Sequence, residues 1–265
     1  MLTTMNSRFT PNPVYTEVVF KDSLDFVNDF ADCPICRVMK KGHFLEMLRS
    51  GLNTFVKCIR WPDVMEGFGF SFPIENEEDR SKVASIEHWK NDVYGQCWSF
   101  NRPSQYMMEE YVESPVIVMS TVGNVYDDFY RCVQRNNIEF ATKTRRMIYC
   151  VPEEMPRTWQ SLSQMKTSTP NELMQNVLEY FLRKQLRYIH ENEMRILIDE
   201  TALKTIPQWK EIGIWKYNID VAQLVQQVVL PSNMRKEEVD EIREAMIAAG
   251  IGYRIVISNA LKLPM

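Results

Sequence analysis

Apolar positions along this chain follow two rhythms, one near 3.6 residues and one of 2, and the switches between them mark its elements. Phe44, Leu45 and Leu48 are spaced for a helix after Lys41-Gly42, and Gly51 is placed to end it. Residues 54–59 then read as a strand, broken by Trp61-Pro62-Asp63. Asn76 caps a predicted helix led by Glu77, Glu78 and Asp79, with Val83, Ile86 and Val93 as its apolar stripe. Residues 96–100 predict a strand, which Asn101-Arg102-Pro103-Ser104 ends before capping a short helix. Val116-Ile117-Val118-Met119 is an unbroken apolar run of strand length, leading through Ser120-Thr121 into a helix around Val125 and Phe129.

Residues 138–140 and 147–151 predict a strand pair. Residues 152–169, with Pro152, Pro156 and a Ser/Thr cluster, predict a loop. Thr169 followed by Pro170 is a helix start, and Leu173, Val177, Phe181 and Leu182 carry that helix to about Tyr188. Met194, Ile196 and Ile198 then alternate with Arg195, Leu197 and Asp199, so the period falls to 2 and a strand is expected. Residues 212–219, 228–230 and 254–257 are further strand candidates, and a helix over 235–249 carries Val239, Ile242 and Met246 before Gly250. There is no internal repeat. The irregular interleaving predicts an α+β fold rather than strict βαβ units. Residues 1–14, polar with Pro11 and Pro13, read as a flexible tail, and residues 15–265 as a single α+β domain.

Composition narrows the function classes. Hydrophobic residues are 45% and charged residues 25% of 265, ordinary for a globular chain. A net charge of -4 argues against a protein that coats nucleic acid through a basic surface. No apolar run approaches the roughly 18 residues of a membrane span, so no membrane partner is expected. The first six residues have neither the charged nor the apolar region of a secretory signal. Six Cys are therefore expected as free thiols in the cytoplasm. Cys33 and Cys36 have metal-ligand spacing, but no second close pair exists to complete a zinc site, and no metal is expected. Nine Gly and three His disfavour glycine-loop nucleotide folds and His-ligated metals.

Three places bring polar groups to strand ends or aromatic neighbours. Arg37 sits on a strand before the first helix, where a guanidinium can hold a pyrophosphate in a bidentate fork; its structural alternative is a surface ion pair. In Cys97-Trp98-Ser99-Phe100-Asn101, the hydroxyl of Ser99 lies in an aromatic strand and needs a partner, either a ligand or nearby backbone. Glu191 and Glu193 stand two apart at the start of a strand, so both should point to one face. Paired carboxylates repel, one takes a raised pKa, and together they can stabilise a developing cation at a sugar carbon. The alternative is a solvated charged turn closed by Arg195. Weaker candidates are Asp63 and Glu66 in a turn, and a basic surface of Arg131, Arg135, Lys143, Arg145 and Arg146.

At these places the chain resembles a widespread bacterial and phage family catalogued as a domain of unknown function. The matching segments are Arg37-Val38-Met39, Phe44 to Leu48, Thr54 to Ile59, Asp63-Val64-Met65-Glu66-Gly67, Cys97 to Asn101, Ser104 to Met108 with Tyr111, and Lys184 to Arg195. Val64-Met65 departs from the family's Pro-Phe, Met108 from its Trp, and Ser114-Pro115 from its usual Gly. More distantly, an Arg on a first strand, a Ser on a middle strand and Glu-x-Glu at a later strand is similar to the order in ADP-ribosyltransferases. That resemblance implies a split, mainly antiparallel fold and NAD as the donor. It implies Arg37, Ser99, Trp98 and Asn101 for NAD binding, with Glu193 stabilising the oxocarbenium-like centre and Glu191 activating the acceptor. It further implies a macromolecular acceptor, whether RNA, DNA or protein, a toxin or phage-defence role, and a restraining antitoxin or regulatory partner. The assignment requires Arg37, Ser99 and Glu193 to converge on one cleft. Two alternatives stand beside it: a non-catalytic binding or regulatory module with Trp98, Asn101 and Glu193 as structural parts and Arg131 to Arg146 as a partner surface, and a metal-dependent nuclease using Asp63, Glu66, Glu191 and Glu193.

Overall fold

A computed structural model of the chain describes residues 17–61, 74–75, 83–84, 91–102, 114–135, 142–151, 153, 175, 177–200 and 213–261. Its elements are α1 (Glu17–Phe30), β1 (Pro34–Lys40), α2 (Lys41–Ser50), β2 (Leu52–Lys57), β3 (Ile74–Glu75), β4 (Val83–Ala84), β5 (Val93–Ser99), β6 (Pro115–Thr121) and α3 (Val122–Arg135). There follow β7 (Thr142–Arg146), β8 (Ile148–Cys150), β9 (Arg183–Gln185), a 3-10 turn (Leu186–Glu191), β10 (Glu193–Asp199), β11 (Ile214–Asn218), α4 (Val221–Leu224), β12 (Gln227–Pro231), α5 (Lys236–Ala248) and β13 (Ile255–Ser258).

The architecture is the expected α+β one, a mainly antiparallel sheet with flanking helices. Nine of the described strands form one sheet, and β5 is its hinge. One edge of β5 pairs along its length with β10, which pairs on its far side with β7. The other edge is shared: Val56 and Lys57 of β2 face Gly95 and Tyr94, whereas Cys36 of β1 faces Ser99. The sheet therefore splits, with β2 and β11 on one arm and β1, β6, β12 and β13 on the other. β12 and β13 run parallel, unlike the rest of this sheet.

Side chains alternate between faces along each strand, and residues directly opposite each other share a face. The main core lies on the face of Trp98, Met194, Ile196, Val118 and Phe55, covered by Phe44 and Leu48 of α2, Val125 and Phe129 of α3, and Ile242 and Met246 of α5. On the other face, Val93 and Leu197 meet a helical segment bearing Val177, Leu178 and Tyr180. There Cys36, Val38, Ile117, Val229 and Leu261 form a smaller cluster.

Local chemistry explains several boundaries. Gly51 ends α2 with φ 64, a left-handed geometry that costs glycine little. Thr121 starts α3 by accepting the Asn124 N–H at 3.2 Å. Two expectations fail. The helix predicted to reach Tyr188 turns at Phe181–Leu182, because the next three residues pair with β8. Val83, placed on the stripe of a helix capped by Asn76, lies in β4 and pairs with Glu75. Residues 1–14, 138–140, 152 and 154–169 fall outside the described residues, as do Asn76, Asp63 and Glu66.

Candidate functional site

β10 starts where three elements meet. Glu193 stands directly opposite Ser99, and Ser99 opposite Cys36, so the three side chains share one face in a row across β10, β5 and β1. Glu191 is not on the strand. It closes the 3-10 turn, and Asn192, with φ 45, swings the chain between the two acids. The pair is nevertheless brought together. The Lys184 ammonium donates to Glu191 Oε2 at 2.7 Å and to Glu193 Oε1 at 3.0 Å.

Glu193 is 7% exposed and held from several sides. Arg195, two residues on and on the same face, donates Nε to Glu193 Oε2 at 3.0 Å. Tyr149 Oη accepts the Glu193 N–H at 2.8 Å. Burial by itself raises the Glu193 carboxyl, but the charge of Arg195, the hydrogen bond with Glu191 and the charge of Lys184 outweigh it, holding it well below the usual carboxylate range. Glu191 moves the other way: burial, then the hydrogen bond and charge of Glu193, raise it against Lys184. The two acids are pushed apart in proton affinity, the arrangement that separates a fixed charge from a proton acceptor. Burial also raises the Tyr149 phenol to about 12, so it stays protonated across the working pH range.

Arg195, read from sequence as closing a solvated turn, is 1% exposed. Its guanidinium lies 4.2 Å from the Trp61 ring centroid and donates to the Phe181 carbonyl at 2.7 Å. Trp61 fits against β5 because residue 95 is glycine: a Cβ there would stand 2.5 Å from the indole. Gly95, Trp61, Arg195 and Glu193 thus form a stack under the carboxylate.

The structure separates the residues expected to bind NAD. Ser99 is at the site, but its hydroxyl donates to the Glu191 carbonyl at 2.5 Å and accepts the Asn101 N–H at 3.1 Å. Asn101 is there too, donating Nδ2 to the His190 carbonyl and accepting Asn192 Nδ2 at 3.0 Å. Both staple the turn that carries Glu191. Arg37 and Trp98 lie on the opposite face, because each neighbours a member of the Cys36–Ser99 pair along its strand. Arg37 donates to Asn53 Oδ1 at 3.2 Å, and Asn53 donates to Tyr217 Oη at 3.1 Å, bridging the split between β1 and β2. Trp98 donates to Gln96 Oε1 at 2.7 Å within the main core. The convergence of Arg37, Ser99 and Glu193 on one cleft is therefore not what the sheet builds.

The expected basic surface is largely engaged by acids. Arg131 pairs with Asp128 at 2.8 Å, and Lys143 and Arg145 both pair with Glu179. Arg146 instead donates to Asn192 Oδ1 at 2.9 Å. Lys184 and Tyr149 are the site residues that sequence reasoning missed. The signal for Lys184 was its place at the head of the segment ending in Arg195, and Tyr149 carried none. No described helix is long and apolar enough to cross a membrane.

No family model and no curated protein matches the chain. Among solved structures it is similar to Thermus sp. 2.9 DarT in complex with carba-NAD+, at 11% identity and TM-score 0.31 over 86% of this chain and 96% of that one. It is likewise similar to Thermus sp. 2.9 DarT in complex with ADP-ribosylated ssDNA, at 11% identity and TM-score 0.31 over 88% and 95% of the two chains.

Proposed function

We propose that the chain is an NAD-dependent ADP-ribosyltransferase-like enzyme acting on a macromolecular acceptor, with Glu193 and Glu191 as its working pair. The observation that supports this reading is the carboxylate pair joined by Lys184 where β10 begins, Glu193 buried and held ionised, Glu191 half-buried and raised. In glycosyl transfer from NAD the bond between nicotinamide nitrogen and ribose breaks, and its electron pair leaves with the nicotinamide. Positive charge builds at the sugar carbon, where a fixed anion such as Glu193 lowers the barrier. The acceptor's lone pair forms the new bond, and its proton passes to Glu191 in its ionised form. A carboxyl raised to about 8 is, once ionised, a stronger base for that step.

The residues present fit such a donor in part: Arg37 does not meet Ser99 and Glu193, so the Arg–Ser–Glu order fails as the basis of the reading, which rests on the carboxylate pair alone. Ser99 and Asn101 act by holding the Glu191 turn. With Arg37 behind the sheet, the cation we assign to a pyrophosphate is Arg187, exposed on the turn and 4.7 Å from the Tyr188 ring that Lys184 also meets. A DNA or RNA acceptor, a toxin or phage-defence role and an antitoxin partner follow from the resemblance and belong to the same proposal.

Glu193→Gln keeps the shape of the side chain and removes its charge. NAD turnover, followed as nicotinamide release in the presence of cell lysate, should fall at least about 10²-fold, as for loss of one charge-stabilising group. Circular dichroism should show the fold retained. Undiminished turnover ends the assignment. The position of Arg37 favours one second reading, a non-catalytic binding module in which Lys184, Glu193 and Arg195 are a structural ion cluster; it predicts no nicotinamide release from the unmodified chain.

A further inference from the structure

β8 and β9 form a parallel ribbon whose register sets Lys184 beside Tyr149. Both side chains end on the first residue of β10. Tyr149 takes the Glu193 N–H and Lys184 its carboxylate, so this ribbon positions Glu193 from backbone and side chain at once. Lys184 is itself 6% exposed. Burying an ammonium is costly unless carboxylates and hydrogen bonds compensate it, and well-packed apolar residues commonly serve stability as well. A lysine placed between two acids of unequal proton affinity has a use that stability does not explain.

We propose that Lys184 is a positioning residue for the carboxylate pair: its ammonium ties Glu191 to Glu193, fixing the charge on Glu193 and leaving Glu191 to exchange the proton. The proposal rests on the transferase reading of the same site. The described groups around the ammonium support this division. Glu191 comes from the 3-10 turn and Glu193 from β10, with Arg195 beside Glu193. Tyr188 presents its ring 4.7 Å from Nζ, and Tyr149 faces it from β8. On its own strand Arg183 is directed to Glu179 at 3.4 Å, in company with Lys143 and Arg145. When Lys184 is removed, Glu193 keeps Arg195, whereas Glu191 loses the charge that opposes its burial and its acidic neighbour. Glu191 then holds its proton to higher pH.

The test compares the unmodified chain with Lys184→Met and Lys184→Arg, by kcat against pH for nicotinamide release and by carbon-13 titration of the glutamate carboxyls. In Lys184→Met the ascending limb of kcat should move up by about one pH unit, with about tenfold less activity below it and recovery above, while KM for NAD changes little. The Glu191 carboxyl should titrate later by the same interval, and Lys184→Arg should restore both. A fall that is uniform in pH, with the carboxyl titration unmoved, overturns the role of Lys184. If the unmodified chain releases no nicotinamide, the transferase reading fails, yet the carbon titration still decides whether Lys184 sets the pair. If Lys184→Met does not fold, Lys184→Gln against Lys184→Arg makes the same comparison.

Discussion

Ser99 shows how a residue can reach a site and serve it differently from its sequence promise. A hydroxyl in an aromatic strand demands a partner, and the partner is the carbonyl of Glu191, with the Asn101 N–H returning a second bond. Ser99→Ala leaves that half-buried carbonyl without its donor, so unfolding free energy should fall by about 1 kcal/mol in urea titration. The Glu191 turn loosens, and kcat for nicotinamide release should fall about tenfold with KM for NAD little changed. If Ser99 contacts ribose instead, KM rises while stability holds. Glu193 and Ser99 were legible because few residue types make sense where they stand. Arg195 was not. Alternation marked it as the outward side of a half-covered strand, whereas β10 is central and the segment bearing Val177, Leu178 and Phe181 covers that side.

Elements carry the second lesson, and the stretch from Phe181 to Glu191 is the case in point. Val177, Phe181 and Leu182 continue a helical period, and Arg183 still reaches back to Glu179 as a helical neighbour would. Three ladder positions with β8 override that local preference, a pairing that no spacing within the segment announces. β7 was hidden for a related reason: Lys143, Arg145 and Arg146 read as a solvated basic run. Yet Thr142 and Thr144 are buried, and the strand is paired to β10. By contrast β6, β11, β12, β13 and α5 follow closely from apolar runs, alternation and a terminal glycine. The stack of Trp61 on β5 yields a prediction at this scale. Gly95→Ala puts a methyl 2.5 Å from the indole and 2.9 Å from Cys58 Sγ, so Trp61 must move off the strand. Overpacking of this kind costs about 1–3 kcal/mol. Trp61 fluorescence should shift, and Arg195, losing its ring, should hold Glu193 less firmly, lowering turnover more than Ser99→Ala does. Unchanged fluorescence and activity would show that Trp61 has no part in the stack.

Across the whole molecule, the split sheet concentrates ionisable groups in places that set its pH response. The carboxyl of Asp128 on α3 is buried, accepts the Asp220 N–H at 3.2 Å and meets Arg131 at 2.8 Å, tying α3 to the segment after β11. Burial raises it to about 6, only partly offset by that backbone bond and by Arg131, with Asp220 and Asp127 adding to the rise. For an acid whose folded value lies above its unfolded one, the native state binds the proton more tightly. Its contribution is therefore complete below about pH 4 and is lost as pH climbs through 6. The loss is about 3 kcal/mol on the usual conversion. Glu238 runs the opposite way: Arg235 first, then Ser114 and Lys41, lower it to about 2 against burial, so its contribution is present above the unfolded value and lost as pH falls toward 2. Asp128→Asn separates the two. Measured by urea unfolding from pH 4 to 8, the unmodified chain should lose stability relative to Asp128→Asn as pH rises from about 4 to 6 and then level off, whatever the absolute cost of losing the Arg131 pair. A stability difference that stays flat over that interval would mean that Asp128 is ionised throughout, and that α3 is held to the β11 segment by its charge.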